Sequence, residues 1–208
     1  MRKTSLLLLG VVLFAVGCNT DSNEEQINKT KQVSSFENNI NSNVYAGINV
    51  LHSLYLERQG ENVDNQELSQ VISGVEDAAL NTNFTHQYNF NKETYKYLNS
   101  EIMQRIVTRD LNVLREVNYS EYIIDEVQRV LETDTALDVE GLRYRIGRST
   151  DISEKEKDFL LNSLDAGHPP TGIDDEWRKS NIVALLYYAK ESKLNVATAT
   201  TVLKVVLN

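Results

Sequence analysis

Apolar residues recur every three or four positions along most of this chain, and that spacing limits what it can fold into more than any motif does. From Phe36 they stand at Ile40, Val44, Ile48, Leu51 and Tyr55, which puts one stripe on one side of a helix. Ser34 with Glu37 supplies a capping box ahead of that helix, and Gly60 supplies a stop. A second stripe, Leu68, Val71, Ile72, Val75 and Ala79, follows the capping pair Asp64 and Glu67. The stretch from Asn81 to Asn91 has no steady period and reads as a loop.

From Lys92 to Val117 the spacing predicts one long helix. Tyr95, Leu98, Ile102, Ile106, Val113 and Val117 line one face, and Met103, Val107, Leu111 and Leu114 widen it. So broad a stripe is that of a helix buried on two sides, the centre of a bundle. Asn118 with Glu121 caps a further helix through Ile123, Val127 and Leu131 to about Glu132, and a short one around Val139, Leu142 and Ile146 ends near Gly147. Ser153 and Glu156 open another, which Gly167, Pro169 and Pro170 end; the densest apolar run then follows from Trp177 to Ala189. In the tail, residues 195–207, Val and Thr favour a strand while Ala197, Val202 and Val206 fit a helical face. A lone strand would lack a pairing partner, so the tail reads as helix. With 2 prolines and 9 glycines in 208 residues, turns are few for a sandwich or barrel. The expected fold is all-α, an irregular bundle of six to eight helices after a disordered tether.

The amino terminus is of another kind. Arg2 and Lys3 precede an uninterrupted apolar run from Leu6 to Val16, too short for the roughly 20 residues that span a bilayer. Ala15 and Gly17 are small, and Cys18, the single cysteine, follows. This order resembles the bacterial lipoprotein signal, with Ala15 where that family usually has Leu. The resemblance implies cleavage between Gly17 and Cys18, and a diacylglycerol and an N-acyl chain carried by Cys18, with no other cofactor. The competing reading is an ordinary secretory signal cut after Gly17, which leaves Cys18 as a free thiol. Residues 1–17 then form the signal peptide, 18–34 the lipidated terminus and a polar tether too poor in apolar residues to fold, and 35–208 a single helical domain. Asn19 is compatible with outer-membrane sorting in a diderm host, and Asp21, Glu24 and Glu25 weakly resemble acidic surface-export signals. The expected location is the bacterial cell envelope, lipid-anchored.

Charge narrows the function. The chain carries 30 acidic and 21 basic residues, and loss of Arg2 and Lys3 with the signal moves its net charge from −9 to −11. A nucleic-acid partner is not expected, because phosphate contacts need a dense Lys/Arg footprint. One cysteine excludes an intrachain disulfide and any multi-Cys zinc site. His52, His86 and His168 stand at no metal-ligand spacing, and no phosphate loop or nucleophile elbow occurs. Two acid groups, Asp134, Asp138 and Glu140, and Asp174, Asp175 and Glu176, suit helix starts better than a glycosidase pair. The segment from Gly167 to Ser180 brings His168, Trp177 and Arg178 close in sequence; Trp and Arg are the residue types enriched at interface hot spots, while Trp177 also fits the core. Tyr95, Tyr97, Tyr119, Tyr122, Tyr187 and Tyr188 suit half-buried rim positions.

The sequence therefore points to a lipid-anchored envelope protein whose helical domain binds or scaffolds a protein or envelope partner without catalysis. An inhibitor or immunity protein against a basic toxin or hydrolase is the alternative, motivated by the acidic charge. An envelope hydrolase using dispersed acids is the second. The membrane is a partner through the anchor.

Overall fold

The computed structural model describes residues 44–60, 66–132, 138–167 and 175–207. The chain divides into two units, Met1–Asn39 and Ile40–Asn208, and all described residues lie in the second. The expectations placed on the signal, the lipidated terminus and the tether lie outside the described residues.

The described residues form an all-α bundle of ten helices with no strand. These are α1 (44–59), α2 (Leu68–Leu80), α3 (Phe84–Gln87), α4 (Ser100–Val107), α5 (Asn112–Glu116), α6 (Glu121–Leu131), α7 (Val139–Arg148), α8 (Glu154–Gly167), α9 (Asp175–Ala189) and α10 (Lys193–Val206). Eight of them have seven residues or more; α3 and α5 are single turns.

The stripe of α1 is buried as its spacing requires, with Val44, Ile48, Leu51 and Tyr55 at most 2% exposed. Gly60 ends the helix in the left-handed region, φ +60°, and its N–H donates to Leu56 O at 3.1 Å. α2 begins at Leu68, so its cap lies at Glu67 rather than at an Asp64–Glu67 pair. The Glu67 N–H donates to Gln70 Oε1 at 3.0 Å, which sets the capping box three residues further on. Where a loop was expected, Phe84 drops into the core (1% exposed) and gathers Tyr88 and Phe90 around it at 5.2 and 5.5 Å. That burial, together with the Phe84 N–H donated to Thr82 Oγ1, stabilises one helical turn.

The long helix expected from Lys92 to Val117 is three pieces. A 3₁₀ turn, Lys92–Thr94, leads into an extended segment, and α4 starts only at Ser100. The Asn99 side chain accepts from the N–H groups of Glu101 and Ile102 at 2.8 and 3.2 Å, a cap that competes with helix continuing through it. After α4 the chain turns at Arg109, φ +61°, and Asp110 accepts from the Asn112 N–H at 3.0 Å to start α5. The apolar stripe is still buried: Leu98, Met103, Ile106, Val113 and Leu114 are all in the core. Burial follows the spacing even though the helix does not. Asn118, expected as a cap, takes the left-handed turn at φ +60°, and Ser120 is the residue at the N-cap of α6. Asp138 and Ser153 behave as capping residues should, accepting from the N–H groups of Gly141 at 2.7 Å and Glu156 at 3.3 Å.

The centre of the bundle is α10, not the 92–117 region. Every residue from Leu194 to Leu203 is buried, and the helix packs against α9, α2 and α8. Its Ala and Thr side chains are short enough for neighbouring helices to close in from all sides. The Thr hydroxyls find partners within the protein: Thr198 and Thr201 each donate to the carbonyl four residues back at 2.8 Å, and Thr200 donates to Asn181 Oδ1 at 2.8 Å. α9 is its main partner and is itself buried from Ser180 to Leu186. None of the described helices is long and apolar enough to cross a membrane.

Candidate interaction site at the extended segment

Residues 95–99 cross the bundle between α2 and α10 as extended chain, with Tyr95 at φ −71°, ψ 135° and Asn99 at φ −82°, ψ 123°. Main-chain groups here have no helix to satisfy them, and side chains of the two flanking helices do so instead. Asn195 of α10, fully buried, takes the Lys96 peptide groups in both directions: the Lys96 N–H donates to Oδ1 at 3.2 Å, and Nδ2 donates to Lys96 O at 2.6 Å. The Ser192 hydroxyl donates to the same Oδ1 at 2.7 Å and fixes the amide's orientation. From α2, Glu76 Oε1 accepts the Leu98 N–H at 2.7 Å and the Tyr95 hydroxyl at 2.8 Å.

Tyrosines collect around this crossing. Tyr95 and Tyr97 meet edge to face at 5.8 Å, as do Tyr187 and Tyr188 at 4.9 Å. Tyr97 is 76% exposed on a segment held at the residue before it and the residue after it. Beside it the Lys96 ammonium pairs with Glu191. At the end of α9, Lys190 donates to Val117 O and lies 3.8 Å from the centre of the Tyr119 ring, whose hydroxyl donates to Leu186 O at 2.8 Å. Burial pushes the phenols of Tyr95, Tyr119 and Tyr188 above the usual tyrosine range, and the Glu76 charge adds to the rise at Tyr95. These hydroxyls stay protonated, and those of Tyr95 and Tyr119 act as donors. Further along the surface, Arg105 pairs with Asp110 and Glu116 at 2.8 Å each. It also edges a depression of about 440 Å³ shared with Glu67, Leu68, Ser69, Ser100, Glu101 and Gln104.

Apart from the tyrosines, the residues singled out in the sequence fall elsewhere. Gly17, Cys18, His168, Asp134 and Asp174 lie outside the described residues. Trp177 is 8% exposed and Arg178 is partly buried. Asp138 is the cap of α7, and Glu140 sits 3.7 Å from Arg143. His52 is half-buried on α1, its pKa lowered first by burial and then by Lys204, and His86 is exposed in the last turn of α3. No group of three or more His, Cys, Asp or Glu side chains is placed to hold a metal ion among the described residues. Of the tyrosines, the structure brings Tyr95, Tyr97, Tyr187 and Tyr188 to one corner. Tyr122 instead donates to Arg145 O at 3.2 Å.

Sequence reasoning missed Glu76 and Asn195. Glu76 had a signal: it stands four residues from both Ile72 and Leu80, on the apolar side of its own helix. Asn195 had a similar one between Leu194 and Val196, inside a run with no polar face. The chain matches no family model, no curated protein and no solved structure.

Proposed function

We propose that this is a lipid-anchored protein of the bacterial envelope that binds a partner through the tyrosine corner of its helical domain and performs no catalysis. The observation that carries the binding reading is Tyr97, a large aromatic 76% exposed on a segment held from both flanking helices. A rigid exposed tyrosine offers contact area at little cost in conformational entropy, which is the property of an interface anchor. The acids nearby are engaged in holding the chain: Glu76 accepts main-chain and phenol protons, Glu191 pairs with Lys96, and Glu116 pairs with Arg105. The anchor reading rests on Cys18 following the apolar run and the small Ala15 and Gly17. Two acyl chains or more hold a protein at a membrane where one does so only reversibly.

Two measurements test the proposal. Cys18→Ala is expected to abolish incorporation of labelled fatty acid and release the protein from membranes; membrane association of the unmutated protein without label overturns the anchor. Tyr97→Ala is expected to weaken capture of the envelope partner by about 30-fold, the size of a hot-spot loss, with the unfolding midpoint unchanged. Equal capture by the variant overturns the role of the corner.

A further inference from the structure

Between α2 and α10 the protein holds a piece of its own chain as a receptor holds a peptide. Lys96 is read through its main-chain N–H and C=O by the Asn195 carboxamide, and Leu98 through its N–H by the Glu76 carboxylate. Among the described residues, Lys96, Tyr97 and Leu98 enter no main-chain to main-chain hydrogen bond. Two side chains of the segment are seated in the groove: the Tyr95 hydroxyl on Glu76, and Leu98, which is 7% exposed. Such main-chain reading tolerates many sequences, and the seats for two side chains three residues apart supply selectivity.

Two features make the segment separable from the bundle. Its ends fall where helices stop and start, after the 3₁₀ turn Lys92–Thr94 and before the Asn99 cap of α4, so lifting it unwinds no α-helix and at its start breaks the Tyr95 N–H to Lys92 O bond that closes the turn. Close by, the Tyr188 hydroxyl is buried, its residue 4% exposed, and has no hydrogen-bond partner among the described residues. The charged and phenolic groups that act on it are Tyr187, Glu76 and Glu191, which places it by the groove. An unbonded buried hydroxyl is a cost of the closed arrangement that water or a ligand would remove.

We infer that residues 95–98 are a displaceable strap over a binding groove, and that the groove accepts an extended polypeptide with an aromatic side chain followed three residues later by an aliphatic one. The inference rests on the binding reading of this corner and is independent of the lipid anchor. In the closed state the strap occupies the groove, so the groove is blocked by the protein's own chain while Tyr97 stays exposed on its outer side. Binding is then an exchange of one extended segment for another, with Glu76 and Asn195 keeping the same hydrogen-bonding roles.

The test follows hydrogen exchange amide by amide in the whole protein, with and without a blocked synthetic peptide of residues 93–100 at millimolar concentration. Without peptide, the Lys96 and Leu98 amides are expected to exchange about 100-fold or more faster than that of Thr200 in α10, through a local opening. Peptide is expected to speed them further without speeding Thr200, whose exchange through global unfolding slows as the bound form is stabilised. Tyr95→Phe weakens the strap but leaves the groove whole, so it is expected to bind the peptide about tenfold more tightly. Three results overturn the inference: strap amides that exchange only with Thr200 in global unfolding, a peptide without effect on either protein, or a scrambled peptide that acts equally. The first is measured on the unmutated chain and is unaffected by any folding defect of the variant. Success here with equal capture of the envelope partner by Tyr97→Ala separates the groove from the exposed tyrosine.

Discussion

Glu76 brings one carboxylate into the interior, 9% exposed, where a single oxygen accepts from both the Tyr95 hydroxyl and the Leu98 amide. Removing it leaves two donors without an acceptor, so Glu76→Ala is expected to cost roughly 2–4 kcal/mol in urea unfolding. Glu76→Gln retains a carbonyl acceptor and is expected to cost about 1 kcal/mol. The buried phenols set the alkaline limit. Because burial raises the folded-state pKa values of Tyr95, Tyr119 and Tyr188, the unfolded chain loses these protons first, at pH ~10. Their contribution to stability is whole below that pH and declines as pH rises above it. Phenolate absorbance is the check: these three tyrosines are expected to ionise together with unfolding.

At the scale of elements, the close approach of α1 and α2 depends on Gly74. A Cβ there would lie 2.8 Å from the Tyr55 ring, which is fully buried, and 2.7 Å from Gln59 Nε2. Gln59 can swing away, but Tyr55 is held by its hydroxyl, which donates to Gln66 Oε1 at 2.6 Å. Gly74→Ala is therefore expected to destabilise by about 1–3 kcal/mol, the cost of overpacking, despite the better helix propensity of Ala. The helix boundaries carry the main differences between pattern and fold. In the 92–117 stretch, Asn99 and Asp110 fall between apolar positions, and periodicity counts them as solvent-facing. Their side chains instead bind nearby main-chain N–H groups and start new helices there. Asn, Asp and Ser have this option everywhere, so spacing alone does not tell a polar face from a helix start.

At the scale of the molecule, α10 joins the parts. Its neighbours include α9, α2 and α8, its Thr201 hydroxyl lies 3.5 Å from Ile48 O of α1, and its Asn195 holds the extended segment. An enlarged side chain at its centre has no free side to move into. Ala197→Leu, at a fully buried site, is expected to cost about 1–3 kcal/mol or more. In equilibrium unfolding the loss is expected to appear as one cooperative shift seen by far-ultraviolet circular dichroism and by Trp177 fluorescence alike. Separate transitions by the two probes would show that the helices on either side of α10 unfold independently.

Much of this fold was legible in the residues: the all-α class, the apolar faces of α1, α2 and α6 to α9, the helical tail, and the capping roles of Asp138 and Ser153. These properties follow from neighbours within a few positions, where a 3.6-residue period and a cap act directly on the local chain. The central place of α10, the division of the 92–117 region and the clamp of Glu76 and Asn195 were decided only by tertiary structure. Asn195 and Lys96 are 99 residues apart in sequence, and Glu76 and Leu98 are 22 apart. No local period records which buried polar group will meet which main-chain amide. That choice is made when the helices pack, because a buried donor or acceptor must find its partner across the interface or leave a cost unpaid.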